Sequence, residues 1–259
     1  ADVVRELLTR LKIVKPVLIG HSMGGQTALS FAIRYPLEPK AVVLTSPAGF
    51  ETFDKGEQLW FEKVVTTRFI KSAGEYAIWG SVRHGNFFRW KKDYEWLIEE
   101  RMRLKKAKQF EQYAYANVRS ISGLARNDFV RESAHRVVAP TLIVFGEKDR
   151  LIPNPFMHGG FTRSVMKSGA KKIKGSLLVG LPRCGHTVQM DCHSEYNKTV
   201  KGFLQRYAPP KAVAAPAPAK PVPAKAKVKP TPAKAPAATQ PSSRPTSERS
   251  ERAPAKAEG

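Results

Sequence analysis

Three residue types at three sites in this chain could perform one reaction together. Ser22 follows the apolar run V-L-I in V-L-I-G-H-S-M-G-G (residues 17–25), Asp149 follows P-T-L-I-V-F-G-E-K, and His186 follows G-S-L-L-V-G-L-P-R-C-G. A serine hydroxyl is a weak nucleophile until a neighbouring base takes its proton, and a carboxylate behind that base fixes the imidazole tautomer and stabilises its charged form. In this arrangement Ser22 attacks, His186 is general base and then general acid, and Asp149 orients the imidazole. The backbone N–H of Met23, at the amino end of the helix that follows, would receive the developing oxyanion. The pattern G-x-S-x-G around Ser22 fits a strained strand-to-helix turn, with Gly20 and Gly24 bare where strand and helix come close. The plain alternatives are a serine in an ordinary turn, a surface carboxylate and a loop histidine.

The elements that must position these residues can be read in order. Asp2 to Leu11 has Val3, Val4, Leu7, Leu8 and Leu11 at helical spacing, which predicts a helix packed on a sheet. Val17 to Ile19 reads as a buried strand, Gly25 to Arg34 as a helix stopped by Tyr35-Pro36, and Ala41 to Ser46 as a second buried strand. Two such strands joined by a helix make a right-handed parallel unit whose ligands bind beyond the carboxyl ends of the strands. Pro140 to Gly146 and Gly175 to Leu181 continue the sheet, and Glu195 to Tyr207 closes it as a helix. Ser22, Asp149 and His186 then meet at one sheet edge although they lie far apart in sequence.

Between Phe50 and about Arg131 the strand rhythm stops. Gln58 to Ala73, Tyr94 to Lys108 and Glu111 to Ser122 are helix-like, and Trp60, Trp79, Phe87, Phe88, Trp90, Trp96, Tyr113 and Tyr115 crowd this stretch. Some 80 helical residues between two strands exceed a plain connection and predict an inserted cap with an apolar ceiling over the site. The organisation expected is a core of residues 1–49 and 132–208, a helical cap over 50–131, and a tail over 209–259.

Rivals exist for each role. His21 and His84 are alternative bases, but His21 is expected to point away from Ser22 along the tight turn and His84 falls in the cap. His135, His158 and His193 lack a glycine setting after a strand. Glu147 competes with Asp149 as the acid.

The pieces G-H-S-M-G-G, F-G-E-K-D-R-L-I-P and R-C-G-H, in that order, resemble the α/β-hydrolase superfamily over Asp2 to roughly Tyr207. The resemblance implies an α/β fold and a Ser22, Asp149, His186 triad without a metal or other cofactor. It also implies a small apolar substrate, an ester or a ketone-type molecule. S-M-G-G-x-x-A-L-x-F-A and R-C-G-H-x-x-Q-x-D also resemble the hydrolases that split carbon-carbon bonds of meta-cleavage products. Those usually carry Asn before the serine and Trp after the histidine, where this chain has His21 and Thr187, so carboxylic ester hydrolysis is the broader expectation. The family's sheet usually has eight strands with the elbow after the fifth, and its second oxyanion donor follows the third. This chain opens at the helix before the fifth, so it is expected to be a piece of a longer hydrolase covering strands five to eight.

Composition sets the remaining bounds. The 259 residues are 42% hydrophobic, enough for a sizeable core, and carry a net charge of +22. Residues 209–259 hold 12 of the 20 prolines, no aromatic residue and +7 of the charge, which predicts a disordered, polyproline-like tail. Such a tail is expected to be a solvated extension, or to make weak contact with an anionic surface; the alternative to an enzyme is then an inactive hydrolase fragment that acts as a binding module through this polyanion-binding tail. Without aromatics among its lysines it offers no specific reading of nucleic acid. Cys184 and Cys192 are too few for a disulfide framework and lack metal-ligand spacing. They do not reveal a compartment, for which the cytoplasm is the expectation. No run of 18 apolar residues is present to span a membrane.

Overall fold

The computed structural model describes residues 1–126 and 128–209, so the predicted tail, beyond Pro209, lies outside the described residues. Four parallel strands form one sheet in the order β1-β2-β3-β4: β1 (Val17–His21), β2 (Ala41–Thr45), β3 (Thr141–Gly146) and β4 (Leu177–Leu181). The register pairs Val17 with Ala41, Val42 with Thr141 and Leu142 with Leu177, so β1 and β2 end level at His21 and Thr45 while β3 and β4 run on past that level to Gly146 and Leu181.

Side chains alternate across a strand, and the apolar runs use both faces. Val42, Leu44, Ile143 and Phe145 pack with Leu29 and Ile33 of helix α2 (Met23–Arg34) and with Met166 and Ile173. Met166 belongs to a helix over Thr162–Ala170. Val43, Leu142 and Val144 face the opposite way, against Tyr196, Val200 and Phe203 of the closing helix His193–Tyr207.

Helix α1 (Asp2–Arg10) departs from expectation. None of its residues is buried, and Val3 is 80% exposed, so its apolar stripe does not pack on the sheet. Polar contacts hold it instead: Asp2 accepts from Arg34 and Tyr35, and Arg5 donates to Glu38. Strand β1 is likewise not fully buried, because it is an edge of the sheet. Ile19 on it is 55% exposed.

The insertion between β2 and β3 is helical, as its composition predicts. Its long apolar stretches are divided into shorter pieces: α3 (Lys55–Val64), α4 (Thr67–Ser72), α5 (Glu75–Gly80), a π turn over Ser81–Gly85, α6 (Trp96–Lys105), α7 (Phe110–Arg126) and α8 (Asp128–Ser133). The predicted single helix from Gln58 to Ala73 breaks at Val65-Thr66, because Thr66 caps a new helix by accepting from Phe69 N–H. A reciprocal capping box between Asp54 and Glu57 starts α3. The aromatic ceiling is only partly assembled. Phe87 and Trp90 pack with Tyr94, whereas Trp60, Trp96 and Tyr115 are exposed.

Candidate active site

Ser22 is the hinge between β1 and α2. Its backbone has φ 55° and ψ −121°, outside the regions that residues with a Cβ ordinarily occupy. The turn is held from below, where Ser22 N–H donates to Thr45 O at 3.0 Å and Ser22 O accepts from Ala48 N–H at 3.0 Å. Although it precedes α2, its hydroxyl makes no capping bond. The side chain thus stands clear of the helix that its backbone starts.

The glycines around it differ from expectation in one respect. A Cβ on Gly20 would lie 2.2 Å from Gly24 O, and one on Gly25 would lie 2.8 Å from Pro47 Cβ, so both positions exclude larger residues. A Cβ on Gly24 would meet nothing within 4 Å, so the strand-helix approach does not require glycine there. Met23, the first residue of α2, has an N–H with no intrahelical carbonyl to bond and remains available to an external oxygen.

The loops after β3 and β4 bring Asp149 and His186 together. His186 Nδ1 and Asp149 Oδ2 are 2.7 Å apart, with His186 only 2% exposed and the Asp149 side chain buried. The other oxygen, Oδ1, accepts the N–H groups of Leu151 and Ile152 at 2.8 and 3.2 Å, which fixes the carboxylate plane. An acceptor carboxylate puts the imidazole proton on Nδ1 and leaves Nε2 with its lone pair, the form a general base needs. Among the described residues no hydrogen bond joins Ser22 Oγ to His186. Such contacts are often long before substrate arrives. The rival acid, Glu147, pairs with Arg163 on the surface.

Four of the rival histidines have partners other than Ser22 and Asp149. His84 packs edge-on against Trp79, His135 Nδ1 contacts Glu132 O, His158 sits between Glu51 and Glu57, and His193 contacts Ser194. Burial pushes the Glu51 carboxyl above its usual range, opposed by the Asn154 N–H it accepts and by His158. His21 does come to the site, with its ring against that of His186, a contact its place in the tight turn did not announce.

Two further contributions went unread in the sequence. Asp191, the last residue of R-C-G-H-x-x-Q-x-D, accepts N–H groups from Gly185, Phe88 and Arg89 at 2.7, 2.6 and 3.3 Å. It ties the His186 loop to the cap, and its place in that motif was the available signal. Cys184 and Cys192 form a disulfide across the same loop. Their spacing of eight residues carried no pairing information, because the return of the chain depends on the short helix Val188–Asp191 between them.

A cavity of about 380 Å³ opens beside the elbow, between Met23, Gly24, Gln26 and Thr27 of α2 and Ser120, Gly123 and Leu124 of α7. Gln26 is 5% exposed and its Nε2 has no hydrogen-bond partner among the described residues. A larger one, about 640 Å³, lies along the loop after β3, near Lys148 and His158. The first touches Met23, and the second is lined by Asp149 itself. No cluster of three metal-ligating side chains occurs among the described residues, and no helix among them is long and apolar enough to cross a membrane.

Comparison with known proteins gives the family of the fold. The family model for the alpha/beta hydrolase fold matches residues 1–191. The chain is 26% identical over 206 residues to human serine hydrolase BPHL, covering 77% of this chain and 58% of that protein. It is 27% identical over 207 residues to a 2-hydroxy-6-oxo-2,4-heptadienoate hydrolase of Pseudomonas putida, covering 76% of this chain and 66% of that one. Among solved structures, a probable hydrolytic enzyme from Pseudomonas aeruginosa superimposes with TM-score 0.63 at 22% identity, over 79% of this chain and 68% of that chain. A thermophilic esterase from Thermogutta terrifontis does so with TM-score 0.59 at 19% identity, over 78% and 69%. The chain thus spans roughly three fifths to seven tenths of the length of these relatives. With the strained turn at Ser22, Asp149 and His186 paired beyond the strand ends, and a family match over residues 1–191, the chain belongs to the alpha/beta hydrolase fold family.

Proposed function

We propose that this chain carries the nucleophile, base and acid of a serine hydrolase that cleaves carboxylic esters through an acyl-enzyme. The observation that carries this reading is the buried 2.7 Å pair of His186 Nδ1 and Asp149 Oδ2 at the same sheet edge as the free hydroxyl of Ser22. Ser22 Oγ attacks the ester carbonyl while His186 Nε2 takes its proton. The tetrahedral oxyanion accepts from Met23 N–H, and His186 returns the proton to the leaving alkoxide. Water then repeats the sequence on the acyl-enzyme. Asp149 keeps the proton on Nδ1 and stabilises the transient imidazolium. The cavity between α2 and α7, which touches Met23, is the space assigned to the acyl group in this reading.

A fluorophosphonate probe is expected to label the purified protein, and Ser22→Ala to abolish labelling. Labelling that survives the substitution overturns the reading.

A second reading, hydrolysis of a carbon-carbon bond in a meta-cleavage-type diketone, is favoured by one observation. Asp191 of R-C-G-H-x-x-Q-x-D braces the histidine loop, and the similar Pseudomonas putida protein is named for such a substrate. His21 and Thr187 stand where Asn and Trp are usual in that class. Turnover of short-chain nitrophenyl esters against a vinylogous ring-fission diketone separates the two.

A further inference from the structure

His21 is the last residue of β1, immediately before Ser22, and its ring reaches across the sheet edge to the loop after β4. Its Nε2 lies 3.1 Å from the backbone carbonyl oxygen of His186, and the two imidazole centroids are 4.8 Å apart with planes inclined at 52°. A carbonyl can only accept, so Nε2 of His21 carries the proton and Nδ1 is bare. The titratable groups acting on it are His186 and Asp149. Burial, followed by the repulsion of His186, lowers its pKa to about 4, so the ring is neutral at ordinary pH.

The other restraints on this loop act on different atoms. Asp149 holds the His186 imidazole, Asp191 takes Gly185 N–H, and Asn86 O takes Thr187 N–H at 2.9 Å. The disulfide anchors Cys184. Each of these ties the loop to the acid, to the cap or to itself. The bond from His21 ties it to the nucleophile's own strand.

We propose that His21 is a positioning residue. By holding the His186 carbonyl from the residue next to Ser22, it sets the distance between nucleophile and base directly. This rests on the triad reading of Ser22, His186 and Asp149. A neutral, Nε2-protonated imidazole whose proton is already given to a carbonyl does not compete with His186 as base.

Two substitutions separate the hydrogen bond from ring packing. His21→Phe keeps an aromatic ring against His186 and removes the donor, whereas His21→Gln keeps an N–H donor and removes the ring. With a nitrophenyl ester at pH 7.5 or above, His21→Phe is expected to lower kcat about tenfold, the effect of one lost hydrogen bond, with KM within about twofold. His21→Gln is expected to recover most of that loss. Circular dichroism should match the parent in both. Equal kcat in all three proteins, or a loss in His21→Gln with none in His21→Phe, overturns the proposal.

A readout independent of turnover keeps failure of the triad reading distinct. Long-range nitrogen-proton spectra of the histidines should show His21 as the neutral Nε2–H tautomer at pH 7, and a fluorophosphonate test of Ser22→Ala reports separately on the nucleophile. An Nδ1–H tautomer or a charged His21 overturns the positioning role whatever the nucleophile proves to be.

Discussion

Asp191 accepts the N–H of Gly185 at 2.7 Å, and the same carboxylate oxygen accepts the N–H of Phe88 at 2.6 Å. One half-buried carboxylate therefore joins the loop that carries His186 to the cap segment that faces it. Without it, the three N–H groups of Gly185, Phe88 and Arg89 lose their acceptor together.

Asp191→Ala is expected to destabilise the protein by about 2 to 3 kcal/mol, since charged acceptors contribute more than neutral ones and buried donors are left unmatched. Asp191→Asn keeps one acceptor oxygen and should cost about half as much. Urea unfolding measures both. The loss should be accompanied by a fall in kcat, because the loop is the mount of His186.

The elbow glycines should separate into two classes. Gly20→Ala forces a Cβ to 2.2 Å from the Gly24 carbonyl, and backbone must move. The expected cost is about 1 to 3 kcal/mol or more, with lowered labelling of Ser22. Gly24→Ala meets nothing within 4 Å and should leave stability unchanged or raise it by up to about 1 kcal/mol, the usual gain of alanine over glycine in a helix. Thermal unfolding of the two variants, side by side, checks the contrast.

Acid should expose the cost of burying His21 in its neutral form. Its folded pKa, about 4, lies below the ordinary 6.5, so between these values the unfolded chain binds more protons and stability falls as pH falls. The contribution is fully present above about pH 6.5 and lost through pH 4, and amounts to about 3 kcal/mol at its limit. His21→Phe should flatten that part of the stability-pH curve. Unfolding midpoints in urea from pH 7.5 to 4 measure it.

The disulfide should support the same loop through the unfolded chain. Replacing Cys184 and Cys192 together by serine is expected to cost about 2.5 kcal/mol, the loop-closure value for a ring of this size. Reducing the parent protein with a dithiol should reproduce the shift in unfolding midpoint, and the double variant should then be insensitive to the reductant.

Much of this site could be read before the fold was seen. The strand-end positions of Ser22, Asp149 and His186 follow from apolar runs of strand length broken by glycine, a local signal. The strands β2 and β3 are buried on both faces, so their runs are continuous and easily recognised. What could not be read depends on neighbours. The apolar stripe of α1 predicts burial but cannot say what covers it, and here Val3 and Leu7 face outward. Gly24 resembles Gly20 in the motif, and only the direction of its Cβ distinguishes them. The tight turn predicts that His21 points away from Ser22, but it does not say where the His21 ring goes once the loop after β4 is placed beside it.

The strand that supplies no reactive group has a role of its own. Ser22, Asp149 and His186 follow β1, β3 and β4, with β2 between the first two. At about 4.8 Å per strand, β1 lies about 10 Å from β3 and about 14 Å from β4, so for Asp149 and His186 to work with Ser22 the later loops must lean back over the end of β2. That end is kept low: Ser46 and Ala48 are buried, and Ser46 turns the chain with φ 40°. Ser46 therefore sits as a saddle beneath those loops, and the room at that position limits how closely His186 can approach Ser22. A bulky residue there would hold the machinery apart while leaving every reactive group intact.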